Sequence, residues 1–316
     1  MTEAPPLVVL GGATGTGKTE LAIRLAEAVI ASGRPAAVIS ADSRQVFRGL
    51  DIGTAKVAAA DRTRVPHHGL DLVDPDAPFS VADFVAHVAG VLRDLHERSG
   101  VAVLAGGTGL YLRAIARGID TDALPSDPTV RARLESELAT DGLPTLVDRL
   151  RATAPRLAGE VDLRNPRRVV RALEIAELAG DAPRPPARGY AGPLAWLGLS
   201  VDPAAHRTWI AARARAQFDA GLLEEARALR ERFDPALPAF SAIGYREAWG
   251  VLDGELTRDA AIELDAQRNV AFAKRQRTWF RSEPDISWLD ATDGPPETAA
   301  SVAIRGILDV PATGRT

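Results

Sequence analysis

Gly11-Gly12-Ala13-Thr14-Gly15-Thr16-Gly17-Lys18-Thr19 follows the apolar run Leu7 to Leu10 and precedes the helical pattern Glu20 to Ile30. Counted from Gly12 it reads G-x-x-x-x-G-K-T in a strand-to-helix context, the arrangement of a phosphate-binding loop. Glycines allow the backbone to turn its N–H groups inward, and the following helix points the positive end of its dipole at the same spot. Gly12, Ala13, Thr14, Gly15, Thr16 and Gly17 therefore form a cradle. Lys18 is placed to reach terminal phosphate oxygens, and the Thr19 hydroxyl to hold Mg²⁺, the one cofactor expected. Only three lysines, Lys18, Lys56 and Lys274, stand among 38 basic residues. Where Arg fills nearly every basic position, the lysines are candidates for chemistry that a broad guanidinium fork does not fit.

The remaining strands follow from short apolar runs. Ala36 to Ser40 reads as a buried strand ending at Asp42-Ser43-Arg44-Gln45, Val101 to Ala105 as another running into Gly106-Gly107-Thr108-Gly109, and Ala195 to Val201 and Ile286 to Leu289 as two more. In open parallel sheets ligands gather at the carboxyl ends of the strands, so Asp42 and Thr108 are expected at one rim with Lys18. Asp42 in that place serves Mg²⁺ through water, accepts a proton from a nucleophile, or caps a helix. The glycines at 106 and 107 are expected to let a ligand approach the backbone. His67-His68 invites a metal reading, set against a structural or capping role. Ser80 to Arg98 is an amphipathic helix with a Ser or Asp cap. From Asp127 to Gly180 the pattern is helical with no strand signal, ending in the Pro-rich stretch Asp181 to Pro186, which reads as a linker.

The fold expected is α/β, a P-loop NTPase-like parallel sheet flanked by helices, with an all-helical insertion domain. Residues 1–126 and 190–316 make the core, and 127–189 the insertion.

A net charge of −4 gives no global sign of nucleic-acid binding, so that role must rest on local patches. Two exist. Between Arg149 and Arg171 seven arginines face only Glu160 and Asp162, and Lys274-Arg275-Gln276-Arg277-Thr278-Trp279-Phe280-Arg281 carries four positive charges and no acid. Each suits a phosphate backbone, with Trp or Phe free for base or apolar packing, or is a solvated helix face. Absence of cysteine rules out disulfides and thiolate chemistry and fits a reducing compartment. No apolar run reaches membrane-spanning length and Met1 to Pro6 lacks a signal-peptide pattern, so a cytoplasmic protein without membrane contact is expected. Nothing demands more than a monomer.

Taken together, Gly12 to Thr19, Ser40 to Phe47, Asp51 to Lys56, Pro66-His67-His68, Gly106 to Tyr111, Arg171 to Glu174, Gly221 to Glu225, Ala242 to Arg246 and Lys274-Arg275-Gln276 resemble, in order, the tRNA dimethylallyltransferase (bacterial tRNA isopentenyltransferase) family. The resemblance implies transfer of a dimethylallyl group from dimethylallyl diphosphate to N6 of the adenosine at tRNA position 37. It implies Asp42 as general base, Thr108 at the reaction site, and Lys18, Thr19 and Arg213 on the diphosphate with Mg²⁺. It implies tRNA contacts at Asp42, Ser43, Arg44, Gln45 and Thr108, at Arg131, and at Arg167, Arg168, Val169, Val170 and Arg171. Further contacts are implied at Ser241, Ala242, Ile243, Gly244, Tyr245 and Arg246, and at Lys274, Arg275, Gln276, Arg277, Trp279 and Arg281. Ala13 replaces the family's usual proline, and without cysteine the chain lacks the zinc finger of eukaryotic relatives. The alternative is a P-loop kinase of small molecules, which explains the cradle and Asp42 but gives the basic clusters no use.

Overall fold

The computed structural model describes residues 4–119, 125–183 and 186–308. Met1 to Glu3, and Arg184 and Pro185 of the expected linker, lie outside them.

In chain order the elements are β1 (Leu7–Gly12), α1 (Lys18–Ala31), β2 (Ala36–Ser40), α2 (Ala59–Arg64), β3 (His67–His68), α3 (Val81–Glu97), β4 (Val101–Gly106) and α4 (Gly109–Ala116). Next come α5 (Pro128–Thr153), α6 (Pro155–Glu160), α7 (Pro166–Ala179), β5 (Leu194–Ser200), α8 (Pro203–Asp219), α9 (Leu222–Arg232), a 3₁₀ turn (Pro238–Ser241), α10 (Tyr245–Leu252), α11 (Arg258–Arg281), β6 (Ser287–Asp290) and α12 (Glu297–Leu308). The six strands form one sheet in the order β3-β2-β4-β1-β5-β6, and every pairing is parallel. β1 lies between β4 and β5, in register Leu7 with Ala102 and with Leu194. Its residues alternate between two cores: Leu7 and Val9 pack with Phe84, Leu104, Tyr111 and Phe280, while Val8 and Leu10 pack with Leu21, Leu25, Val103 and Leu197. Such burial on both faces is why β1 reads as a continuous apolar run rather than an alternating one.

The expected strands are present within a residue or two at each end. The two-residue edge strand β3 was not foreseen, being too short for a periodic signal. α3 begins at a capping box: Ser80 Oγ accepts from Asp83 N, and the Asp83 carboxylate accepts from Ser80 N (2.8 Å).

The chain divides into two compact units, Met1–Gly118 with Gly189–Thr316, and Ile119–Arg188. The second starts earlier than the expected residue 127, and the reason lies in α7. Arg171 donates to Pro125 O (2.8 Å), and the Glu174 carboxylate accepts from Asp127 N (2.9 Å). These bonds tie the approach to α5 into the helical unit. Within it Leu134, Leu146, Leu150, Leu157, Val169, Val170 and Leu173 form a core of their own. α5 is broken at Gly142 (φ 79°, ψ 163°), two residues before Pro144. α7 has Asn165 at its cap and Pro166 in its first turn, and spacing puts Val169, Val170 and Leu173 inward while Arg167 and Arg168 stay exposed.

Candidate active site

The phosphate loop leaves β1 and turns into α1 through Gly15 and Gly17, both at positive φ (75° and 81°), a conformation costly for any side chain with a Cβ. Its inside is fixed by its own side chains. Buried Thr16 donates from Oγ1 to Ala13 O (2.9 Å), and Lys18 Nζ donates to the same oxygen (2.5 Å).

Thr14 is held from three directions. Its N–H donates to Gln276 Oε1 (2.8 Å), its Oγ1 accepts from Arg213 Nη1 (2.8 Å), and its carbonyl meets His206 Nε2 (2.8 Å). Gln276 also donates to Gly107 O (2.9 Å), so one amide of α11 ties the loop after β1 to the loop after β4.

The loop after β2 joins the same rim. Asp42 Oδ1 accepts from Arg44 N (2.8 Å), which caps a turn, not the helix start weighed from the sequence. Thr108 N donates to Ala41 O (3.1 Å), and Thr108 Oγ1 accepts from Ser43 N (3.0 Å), bracketing Asp42 between two bonds. Gly106 and Gly107 serve this junction. A Cβ at Gly106 would stand 2.1 Å from Ala41 O and one at Gly107 2.3 Å from Gln276 Nε2, so it is the protein itself, not a ligand, that approaches so closely.

Lys18, Thr19, Asp42, Gln45, Arg213 and Gln276 share the walls of one cleft of about 440 Å³. Its electrostatics are unbalanced. Burial pushes the Lys18 ammonium down from 10.5 to about 7, the Arg213 charge adds to this, and Asp42 opposes it. Burial also lowers Arg213, against the pull of Asp42 and Asp265. Two desolvated cations thus stand beside Asp42, while the cleft's other acids, Glu20 and Asp61, are paired with Arg24 and Arg64, an arrangement that an entering polyanion would stabilise.

For Mg²⁺ the donors are the exposed Thr19 hydroxyl and the Asp42 carboxylate, and no group of three or more His, Cys, Asp or Glu suited to a metal occurs among the described residues. Hard oxygen donors in small number fit an Mg²⁺ that takes its other ligands from phosphate and water. At His67-His68 the edge strand forms instead, with His67 Nδ1 2.7 Å from Val65 O.

Several expectations need correction. Lys56 is no ligand: its ammonium donates to Phe47 O (2.9 Å), Asp51 (2.6 Å) and Asp71 (2.6 Å), so its three N–H groups are spent inside the protein. Val169 and Val170 are core residues of the helical unit, and Gly244 and Tyr245 are buried, so none presents a side chain to RNA. Gln276 is spent on the two loops. Phe280 packs under Gly11 and is buried, and the Trp279 ring lies against Gly109 with the Arg113 guanidinium 4.5 Å over it, which leaves neither free as a base platform. Arg131 and Arg171 both bind Glu174, a fully buried carboxylate, at 2.8 and 2.7 Å. Burial alone would raise that carboxyl; bonds from the two arginines and Asp127 N outweigh it and hold it low. The exposed members of the set are Arg167, Arg168, Ser241, Arg246, Lys274, Arg275 and Arg281, with Ser43, Arg44, Ala242, Ile243 and Arg277 half-buried. Arg44 reaches Pro238 O (3.0 Å).

Composition did not disclose Glu225, whose carboxylate accepts from Asp51, Ile52 and Gly53 N and from the Tyr245 hydroxyl (2.7 Å). With Gln217 donating to Ile52 O and Gly53 O, it clamps the segment leading to Thr54 and Ala55 on the cleft wall. Its one signal is its place in the motif Gly221 to Glu225, where Glu224 and Glu225 follow two leucines in the first turn of α9.

Residues 45–283 match the family described as IPP transferase. A "tRNA dimethylallyltransferase" of Pseudarthrobacter chlorophenolicus is 41% identical over 306 residues, covering 95% of this chain and 97% of that one. The crystal structure of a full-length tRNA isopentenylpyrophosphate transferase from Bacillus halodurans is 36% identical, with TM-score 0.70 over 96% of this chain and 97% of that one. A eukaryotic dimethylallyltransferase, described as acting on tRNA, shares the fold with TM-score 0.78 at 23% identity, over 98% of this chain and 81% of that one.

Proposed function

The chain belongs to the IPP transferase family, and from that premise we propose that it transfers the dimethylallyl group of dimethylallyl diphosphate to N6 of the adenosine at tRNA position 37. The observation that carries the reading is the cleft where Lys18 and Arg213, both desolvated, stand with Asp42 at the mouth of the phosphate loop. An allylic diphosphate departs as a polyanion, so the largest catalytic effect belongs to cations and N–H donors aimed at its oxygens. Lys18, Arg213 and the α1 N-terminus supply them. Bound Mg²⁺ would add charge neutralisation on the diphosphate, with Thr19 and Asp42 as the protein's contribution.

In the step itself the N6 lone pair forms the bond to C1 of the dimethylallyl group, the C1–O bond breaks, and its electron pair leaves with the diphosphate. The N6 proton passes to the Asp42 carboxylate. Because that amine's lone pair is delocalised into the adenine ring, orientation and proton removal both matter. Thr108 and the Arg44 N–H hold Asp42 in place for this, so Thr108 is a positioning residue. The adenine must leave its stack, which an RNA loop permits at modest cost. Arg167 and Arg168 in the helical unit, and Lys274, Arg275 and Arg281 in the α/β unit, are exposed cations suited to the tRNA backbone. The reading keeps the chain a monomer, and a tRNA substrate supports a cytoplasmic location. Among the described residues no helix is long and apolar enough to cross a membrane.

The test is to supply Mg²⁺, unmodified tRNA with adenosine at position 37, and either dimethylallyl diphosphate or ATP, and to weigh the nucleosides. A five-carbon gain on adenosine with the allylic donor alone is expected. ATP consumption dependent on a small acceptor, without prenylation, would restore the kinase alternative, which no relative described above supports.

A further inference from the structure

His206 has no part in the reaction as derived, yet it is 99% removed from solvent and bonded at both ring nitrogens. It sits in the first turns of α8. Nε2 is 2.8 Å from Thr14 O, and Nδ1 is 3.1 Å from Arg277 Nη1. A carbonyl oxygen only accepts and a guanidinium only donates, so Nε2 carries the proton and Nδ1 the lone pair. Partners at the two ends thus select one neutral tautomer. Burial, Arg277 and Lys18 all keep the ring from gaining a second proton, and only the bond to Thr14 opposes them.

The two partners face different ligands. Thr14 stands in the phosphate loop, and its hydroxyl orients Arg213 over the cleft. Arg277 lies on the other side of the loop, where it lines a cavity of about 560 Å³ with Lys274, Arg281 and Trp288, floored by Ala13 and Thr16. The His206 bond uses one of the five guanidinium N–H groups, so Arg277 has donors for an RNA phosphate entering that cavity.

We propose that His206 is a positioning residue that couples the two substrates, passing the state of Arg277 on the RNA-facing helix to Thr14 in the diphosphate loop. The inference rests on the transferase reading. When a phosphate fixes Arg277, His206 is fixed with it, the Thr14 carbonyl is held, and the loop meets the diphosphate already ordered. Ordering by the first ligand then lowers the cost of binding the second. Gln276 offers a parallel route from α11 to Thr14 and serves as an internal control, since it touches neither ring nitrogen.

The test uses binding, so it does not depend on turnover. Affinity for inorganic diphosphate with Mg²⁺ is measured by calorimetry with and without saturating unmodified tRNA, in wild type, His206→Asn and His206→Gln. Asn places an acceptor near the Nδ1 position and Gln a donor near the Nε2 position, so each variant keeps one bond and loses the other. In wild type, tRNA is expected to tighten diphosphate about fivefold or more. Both variants are expected to lose most of that factor, the Asn variant with weaker diphosphate binding and the Gln variant with weaker tRNA binding. Should either variant fail to fold, Arg277→Leu breaks the relay from its half-buried end and is expected to abolish the coupling while His206 stays in place. No coupling in wild type, or coupling that survives every variant, would overturn the proposal and assign His206 to packing. Failure of prenyl transfer would strike the transferase reading instead, leaving these binding results to be judged separately.

Discussion

The α/β unit and the helical unit both concentrate positive charge, but they treat it in opposite ways. In the first, Lys18 and Arg213 are desolvated beside Asp42, and on the proposed reading their charge meets the departing diphosphate. In the second, Arg131 and Arg171 are consumed by buried Glu174, while Arg167 and Arg168 remain at the surface. One unit therefore holds desolvated charge in a fixed place, whereas the other commits Arg131 and Arg171 to its own scaffold. The lesson is that a run of arginines divides into scaffold and contact only when the acids between them are located.

Four variants break or sharpen this contrast. Lys18→Met should have the largest effect, lowering kcat/KM for the allylic diphosphate about a thousandfold, ~4 kcal/mol, because the lost cation faces the leaving group. It should also flatten the pH dependence of inorganic diphosphate binding. In wild type an ammonium at about 7 loses its proton as pH rises through neutrality, and affinity falls with it. An equal pH slope in both proteins would remove Lys18 from the site.

Glu174→Ala leaves two arginines without their buried partner and should cost the helical unit about 3 kcal/mol, read as earlier denaturant unfolding. Since this carboxyl is held below 4.5, its contribution is present above that pH and is lost as pH falls. Unchanged unfolding would make Arg131 and Arg171 contact residues after all.

Asp265 behaves in the opposite sense. Burial lifts its carboxyl from 3.8 to about 6, with Glu247 adding to this and the Asn269 amide resisting. The folded state keeps the proton where the unfolded chain has lost it, so stability falls as pH rises from about 4 to 6. Asp265→Asn should gain on wild type over that interval by about 2 kcal/mol, visible as a widening difference in Tm. A difference that stays level would place the carboxyl in water.

The smallest effect belongs to Arg167→Ala with Arg168→Ala. Two lost phosphate contacts should weaken tRNA about tenfold and reduce the salt slope by about 1.5. A wild-type slope would make both a solvated face.

Much of the α/β unit was legible because its elements obey short-range rules. β1, the glycine loop and α1 follow from residue order alone, and the strand ends that bring Asp42 and Thr108 to Lys18 follow from parallel-sheet geometry. What escaped the sequence was pairing across the fold. Whether Lys56 faces ligand or protein depends on Asp71, fifteen residues away, and whether Gln276 faces RNA depends on Thr14, at the other end of the chain. Val169 and Tyr245 lay within recognisable motifs, yet they serve the core that carries the contact residues rather than the contact.

The central claim is that Asp42 does chemistry while the exposed cations hold RNA, and Asp42→Ala separates these most directly when turnover and tRNA affinity are measured on the same preparation. The account predicts loss of prenyl transfer by at least about a thousandfold, with the tRNA dissociation constant within about twofold of wild type. Turnover near the wild-type rate would show that the N6 proton leaves by another path, and the role drawn for the cleft would be wrong.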